Sequence, residues 1–324
     1  MLFIGNFDAN NVNQNGQVAR VRSIWYLLKS IAKMSSYDTS NPLLHINKPF
    51  LNHERVFIVA PYRSGFIFLL LFYILGRLHR VVYIPTGGWI EQKVSNRIYK
   101  FLLKRLRQLY VQAFALKISL EKNGINSVHL PNFRLEYFQY KERTFNPKNK
   151  LKTVYNSRIT VSKGIFDLIH VIKDFEETVE LDVWGLIDSD CKENFEKLVS
   201  NTSNVTYRGM YQMSQAPAIL LEYDLSFFPS TYQGEGQPGS VLDAVLSGLP
   251  IIATDWRFNS ELVKHGLNGL LINVTDVRTG LEQSLIQVMK NDTLARLSRG
   301  TKKIRSEHCI TEIENELKKH CPSR

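Results

Sequence analysis

An α/β fold made of two Rossmann-like domains is what this sequence predicts, and three observations carry the prediction. Short apolar runs alternate with longer amphipathic stretches from end to end, as in a parallel sheet wrapped by helices. The alternation breaks once, over Arg134–Lys150, which is polar, charged and contains Pro147, the composition of an inter-domain connection. The 324 residues suffice for two ordinary domains, each able to bury its own core.

In the first half the strand-like runs are Leu2–Gly5, Val56–Ala60, Arg80–Ile84, Leu109–Gln112 and Ser127–Leu130. Helix-like segments lie between them at Gln17–Lys33, Ser64–Gly76, Glu91–Arg107 and Phe114–Asn123. After the connection the strands resume with Leu151–Asn156, Leu181–Trp184, Val205–Tyr207, Asp224–Phe228, Ile251–Thr254 and Gly269–Ile272. Helices are expected from Lys163, around Cys191–Ser200, from Ser240 and over most of 275–320. Such a chain places a ligand where strand ends meet the start of helices.

Composition narrows the class. At 44% hydrophobic and 22% charged the chain is globular rather than disordered. Its three cysteines, Cys191, Cys309 and Cys321, are unpatterned, which argues for a reducing compartment and against a disulfide framework or a zinc site. No positive run and cleavage site precede the first strand, so no secretory signal is expected. The longest apolar run, Phe66–Leu75, is about half of what a bilayer span requires. Charge is uneven: residues 1–147 hold 20 Lys and Arg against 7 Asp and Glu, whereas residues 148–324 hold 21 against 23. The basic half fits an anionic partner, whether nucleic acid, anionic lipid or a phosphorylated acceptor.

The strongest local signal is Gly234-Glu235-Gly236-Gln237-Pro238-Gly239-Ser240-Val241-Leu242-Asp243, followed by Gly248-Leu249-Pro250. It follows a strand and opens a helix. The glycines let backbone approach a ligand closely, and the free N–H groups with the positive dipole end favour an anion or a hydroxyl-rich ligand. Gly236, Gln237, Pro238, Gly239 and Ser240 are therefore candidate donor contacts. Glu235 sits at the ligand's edge, and Asp243, one turn in, can accept hydrogen bonds from a diol.

This stretch resembles the signature of glycosyltransferase family 4, in which one acidic residue follows another after seven intervening positions; here the pair is Glu235 and Asp243, with Asp in place of the usual Glu. Ser157-Arg158-Ile159-Thr160-Val161-Ser162-Lys163-Gly164 is similar to the family's segment whose Arg and Lys hold the donor diphosphate. Thr254–Glu261, Gly266 and Asn268-Gly269 are similar to the segment that follows the acidic motif, and Leu130–Arg134 lies where the family ends its first domain. Within the family, bacterial enzymes building capsular or other surface polysaccharides look most similar.

The resemblance implies a GT-B fold, two Rossmann-like domains facing each other across a cleft. The expected domains are residues 1–147 on the acceptor side and 148–305 binding the nucleotide-sugar, with a C-terminal helix in 306–324 packing back toward the first domain. It implies a retaining transfer from a UDP- or GDP-sugar to a glycan or lipid-diphosphate-linked acceptor in surface polysaccharide biosynthesis. Arg158 and Lys163 would ease departure of the diphosphate, Glu235 would hold sugar hydroxyls, and Asp243 would hold the ribose. No cofactor is expected, the nucleotide-sugar being a substrate, and no metal, since no Asp-x-Asp and no His, Asp or Cys cluster with ligand spacing is read.

In the first half, Asn13-Gln14-Asn15-Gly16-Gln17 resembles the family's short glycine loop facing donor phosphate, which makes Gly16 a candidate contact. Gly87, Gly88 and Trp89 end another strand and form the acceptor-side candidates, with Trp89 able to stack on a sugar face. The family often places a His near such a strand end; none is present, and no acceptor-activating base is nominated. Along the predicted helix Glu91–Arg107, the basic residues Lys93, Arg97, Lys100, Lys104 and Arg107 fall on one face. That face predicts reversible docking on an anionic membrane surface, with the protein cytoplasmic and peripheral on the inner face of the cell membrane. Two other readings stay open. A nucleotide-sugar epimerase of the same fold would need a second general base. A nucleic-acid-binding protein would need a recognisable reading module, and none is seen.

Overall fold

A computed structural model describes residues 1–6, 16–39, 53–308 and 310–321. The chain divides into two compact units. The first comprises Met1–Leu135, Gly234–Gln237 and Cys309–Arg324; the second comprises Glu136–Gln233 and Pro238–His308.

The first unit holds a parallel sheet of β1 (Leu2–Gly5), β2 (Ser35–Asp38), β3 (Val56–Ala60), β4 (Val81–Pro85), β5 (Gln108–Val111) and β6 (Val128–His129), in the order β2-β1-β3-β4-β5-β6. Strands β3 and β4 are buried along their whole length, as in a sheet covered on both faces, which is why they read as unbroken apolar runs. Strand β2 escaped the sequence reading. Among the described residues it is the edge strand, pairing only with β1, and its residues Ser-Ser-Tyr-Asp show no apolar run. The helices are α1 (Gly16–Ile31), α2 (Tyr62–Ile74), α3 (Ile90–Lys93), α4 (Arg97–Leu103) and α5 (Phe114–Lys122).

The continuous helix expected over Glu91–Arg107 is instead the two pieces α3 and α4. Asn96 starts the second piece: its side chain accepts from Tyr99 N at 3.0 Å, the action of an N-cap residue. Val94, in the break, is buried. The single basic face therefore does not form. Lys93 lies over the Tyr62 ring and Lys100 donates to Asn123 Oδ1 at 3.4 Å.

The second unit holds β7 (Leu151–Asn156), β8 (Val179–Trp184), β9 (Val205–Gly209), β10 (Leu225–Phe228), β11 (Ile251–Thr254) and β12 (Gly269–Ile272), all parallel, in the order β12-β11-β10-β7-β8-β9. Counted from the unit's own first strand this is the doubly wound order 3-2-1-4-5-6. Its helices are α6 (Ile165–Lys173), α7 (Lys192–Ser200), α8 (Ala216–Leu220), α9 (Gly239–Ser247), α10 (Asn259–Leu262), α11 (Val277–Val288) and α12 (Thr293–Ser306). One core packs Ile165, Leu168, Ile169 and Ile172 of α6, at helical spacing, against Leu181, Leu281 and Leu285. The other packs Val241 and Val245 of α9 against Val154, Phe228 and Leu262. With a core on each face, β7 and β10 lie side by side at the point where the strand order reverses, in register from Thr153–Leu225 to Tyr155–Phe227.

Residues 136–148, polar in sequence, are part of the second unit because Arg143 is buried there. Its guanidinium donates to the carbonyl oxygens of Tyr223 (3.1 Å), Leu220 (3.0 Å), Lys141 and Ser247. Burial lowers it to about 10. Truncating such a fork would strand several buried carbonyls, each worth about 1–3 kcal/mol.

The C-terminal helix α13 (Ile310–Lys318) belongs to the first unit, where Ile313 and Leu317 join the core of Phe3, Ile24, Leu28 and Phe57. The Tyr110 hydroxyl donates to Glu316 Oε1, in the last turn of α13, at 2.9 Å and lies 2.7 Å from Nε2 of His320, just beyond that helix. Burial, and then the positive charges of Arg107, Arg55 and Lys319, lower His320 to about 4, against the upward pull of Glu316. The unfolded chain therefore takes up a proton, from about pH 6.5 downward, that the folded one refuses. The docking of α13 is complete above that pH and weakens progressively as pH falls toward 4. Hydrogen exchange of the α13 amides, corrected for intrinsic rates, is expected to accelerate between pH 7 and 4.5, and His320→Gln to flatten the dependence.

Candidate functional site

The site of the second unit is built on the strand reversal. The segment after β7 carries Arg158 and Lys163. The Tyr155 hydroxyl, on a buried ring, donates toward the carbonyl oxygens of Arg158 (2.9 Å) and Lys163 (3.4 Å), pinning both ends of the loop. A 3-10 turn, Val161–Lys163, ends at Gly164 in the left-handed conformation, φ +72°. A Cβ there would overlap the carbonyl oxygen of Pro229, so only glycine lets this loop lie on the one after β10. Thr231 N donates to Ser162 O at 2.8 Å and closes the contact. The Lys163 ammonium lies 5.2 Å from the ring centroids of both Phe228 and Tyr232. Arg158, half exposed, pairs with Asp188 Oδ1 at 2.7 Å. An exposed pair of this kind contributes about 0–1 kcal/mol and is readily exchanged for a stronger anion.

The segment after β10 runs into α9, which starts at Gly239 with Pro238 before it. Gly239 and Ser240, at the positive end of the helix, are partly exposed, whereas Asp243, one turn further, is buried. The neighbouring loop after β11 is tied in by Trp256 Nε1, which donates to Tyr232 O at 2.9 Å, and by Asn259 Nδ2, which donates to Thr254 O at 3.0 Å. Arg257 holds a positive φ of 52° in this loop, strained for a side-chain-bearing residue. Asn268 braces the turn behind it, accepting from Lys264 N at 2.6 Å and donating to Leu262 O at 2.8 Å.

Glu235 lies in Gly234–Gln237, the segment that belongs to the first unit. There Gly88 N donates to Gly234 O at 3.1 Å. Asn132 holds Gln237 twice, its backbone N donating to Gln237 Oε1 (2.6 Å) and its Nδ2 to Gln237 O (3.2 Å). Gly236 sits so close to the Gln112 side-chain amide that any Cβ would strike it. Asn132 is in turn braced from α1 by the buried Arg20, which donates to Leu130 O at 2.8 Å and toward Asn132 Oδ1 at 3.4 Å. Burial, with Arg134 nearby, lowers Arg20 to about 9. Gly87 lies beside Gln17 and Gly234, so the start of α1, the loop after β4 and the acidic segment meet. Gly16 opens α1 with free space around it, Asn13–Asn15 lie outside the described residues, and Trp89 is partly exposed at the start of α3.

Sequence reasoning gave no site role to Tyr155, Gln112 or Asn132, which hold the candidate residues in place. It also passed over Asp188-Ser189-Asp190, the Asp-x-Asp of this chain. Asp188 is bound to Arg158, and Asp190 accepts from Ser189 Oγ at 3.0 Å. Among the described residues, no three His, Cys, Asp or Glu side chains gather into a possible metal site.

Residues 150–291, which contain the paired loops, match the family model described as glycosyl transferases group 1. This stretch is a glycosyl transferases group 1 domain. The chain is 24% identical to an uncharacterized 41.2 kDa protein of the cps region of Klebsiella pneumoniae, over 86% of this chain and 75% of that one. It is 28% identical to the Escherichia coli UDP-Gal:alpha-D-GlcNAc-diphosphoundecaprenol alpha-1,3-galactosyltransferase, over 40% of this chain and 30% of the other. Among solved structures it is similar to Anabaena HepE in complex with UDP and glucose, with a TM-score of 0.76 at 16% identity over 98% of each chain. Two parallel six-stranded sheets and this similarity make the fold GT-B, as the resemblance implied.

Gly164→Ala is expected to part the loops after β7 and β10. Affinity for a nucleoside diphosphate should fall at least tenfold, about 1.4 kcal/mol, by calorimetry. Gly76→Ala also carries positive φ but has open space around its Cβ. It should lower the melting temperature and leave that affinity unchanged.

Proposed function

We propose that this protein is a retaining, metal-independent glycosyltransferase of family 4. It would move a sugar from a UDP- or GDP-sugar to a glycan or lipid-diphosphate-linked acceptor in surface polysaccharide biosynthesis, working at the inner face of the cell membrane. One observation carries the donor reading: the strand reversal in the second unit sets Arg158 and Lys163, after β7, against the loop after β10 that leads into α9. An open α/β sheet binds its ligand at such a point. Support for the acceptor class comes from the similarity to a cps-region protein and to an enzyme acting on a diphosphoundecaprenol-linked sugar. Similarity to a structure holding UDP and glucose favours a UDP-sugar.

In this reading Arg158 exchanges Asp188 for the diphosphate, and Lys163 adds a second positive charge beside it. The N–H groups at the start of α9 add partial charge without needing a metal ion. As the bond from the anomeric carbon to the diphosphate oxygen breaks, negative charge grows on the leaving group. Groups already aimed there then act most strongly in the transition state. Asp243 is assigned the ribose hydroxyls and Glu235 those of the transferred sugar. Gly236, Gln237, Pro238, Gly239, Ser240 and Gly16 are assigned further donor contacts, and Gly87, Gly88 and Trp89 the acceptor.

Calorimetry against a panel of UDP- and GDP-sugars identifies the donor. With that donor, Arg158→Ala and Lys163→Ala are each expected to lower turnover more than tenfold while the fold is retained by circular dichroism. Near-wild-type rates in both variants would remove the loop from the mechanism. Activity is further expected to survive excess EDTA. If chelation abolishes it and magnesium or manganese restores it, the metal-independent reading fails and Asp188 and Asp190 become the ligands to test.

A further inference from the structure

Helix α2 is apolar on the side where a globular protein is ordinarily polar. Of its residues only Gly65, Leu69 and Phe72 are buried. Ile67 is 66% exposed and Ile74 73%, and Leu70, Leu71, Tyr73 and the following Leu75 are exposed as well. Helix α4 extends the surface with Ile98, 58% exposed. Between the two helices lies an open apolar recess of about 310 Å³, lined by Leu70, Tyr73, Arg97, Ile98, Phe101 and Leu102. Phe101 meets the Tyr73 ring edge-on at 5.3 Å and carries the Arg105 guanidinium over its face at 3.5 Å. A contiguous exposed apolar surface of this kind marks a place of contact.

Its charge says with what. Arg97 and Arg105 border the recess, Arg63 stands exposed at the start of α2 and Arg77 follows its end. From Arg55 to Leu120 the sequence holds one carboxylate, Glu91. An apolar surface ringed by cations and nearly without anions complements a layer with hydrocarbon beneath and negative charge above. With thirteen residues, α2 is about 20 Å long, short of the roughly 30 Å hydrocarbon core. No helix of the described residues is long and apolar enough to cross a membrane. Helix α2 is suited to lie along the interface, its apolar side among acyl chains and the arginines reaching headgroup phosphates.

We propose that the exposed α2–α4 surface is a docking face for an anionic phospholipid bilayer. It replaces the continuous basic helix expected from the sequence, which the break at Asn96 and the Lys100–Asn123 bond remove. The proposal extends the lipid-linked acceptor reading, but it uses no residue assigned to the donor or the acceptor, so each can fail without the other.

The test is flotation of the whole protein with vesicles of phosphatidylcholine alone or with about one third phosphatidylglycerol, at low and high salt. Wild type is expected to partition at least tenfold more strongly onto the anionic vesicles at low salt. Ile67→Ser/Leu71→Ser/Ile74→Ser, and separately Arg97→Ala/Arg105→Ala, should each lower that partitioning at least tenfold. An unchanged far-ultraviolet circular dichroism spectrum and melting temperature would show that the variants fold. Equal binding to neutral and anionic vesicles overturns the proposal, as does wild-type binding by either folded variant. Absence of vesicle binding, with patch-dependent self-association in the ultracentrifuge, overturns it in favour of a protein partner.

Discussion

The close approach of Gly164 to the Pro229 carbonyl is the constraint on which the second unit's site depends. The loops after β7 and β10 leave neighbouring strands and pack backbone to backbone, so that no side chain fits between them. The left-handed turn at Gly164 ends the short 3-10 segment and starts α6, so one residue sets the height of Lys163 and the direction of the helix behind it. The bond from Thr231 N to Ser162 O and the double reach of Tyr155 then hold a loop that has little burial of its own. Cationic side chains need such a frame. Long and flexible, they lose entropy when they grip a ligand, and a fixed backbone limits that loss.

The acidic segment is governed by a different set of contacts. Gly234–Gln237 follows β10 in the chain, yet it is held by Gly88, Gln112 and Asn132 of the first unit. Glu235 is therefore placed by residues more than a hundred positions earlier in sequence. Gly236 serves here by having no side chain at all, since its backbone occupies the space beside a buried glutamine amide. The buried Arg20, which braces Asn132, is a costly group to enclose and, among the described residues, bonds to the uncharged Leu130 and Asn132. Polar networks of this kind fix geometry more than they add stability.

The first unit's surplus of positive charge is also better understood on the folded chain than by counting. Lys93 and Lys100 are engaged with neighbouring side chains, whereas Arg97 and Arg105 border an apolar recess. Charge beside exposed hydrocarbon has a different meaning from charge on a solvated helix face. The same net value serves for both, and only placement separates them.

Local pattern determined much of this protein. The strands of the interior, from Val56–Ala60 to Ile251–Thr254, were legible because burial on both faces makes every residue apolar. The start of α9 was legible because a glycine-rich turn opening a helix is written in consecutive residues. Through its resemblance to a known signature, the sequence also nominated Arg158, Lys163, Glu235 and Asp243 as candidates. The tertiary structure alone decided the rest. Strand β2 forms because β1 offers it an edge, not because Ser-Ser-Tyr-Asp favours extension. The break before α4 follows from Asn96 capping a new helix, and the ten apolar residues from Phe66 gave no sign that most of α2 would stay outside the core. Arg158 meets Asp188, and Gln237 meets Asn132, across 30 and 105 positions. Contacts at that separation depend on which strands become neighbours, and periodicity along the chain cannot carry that information.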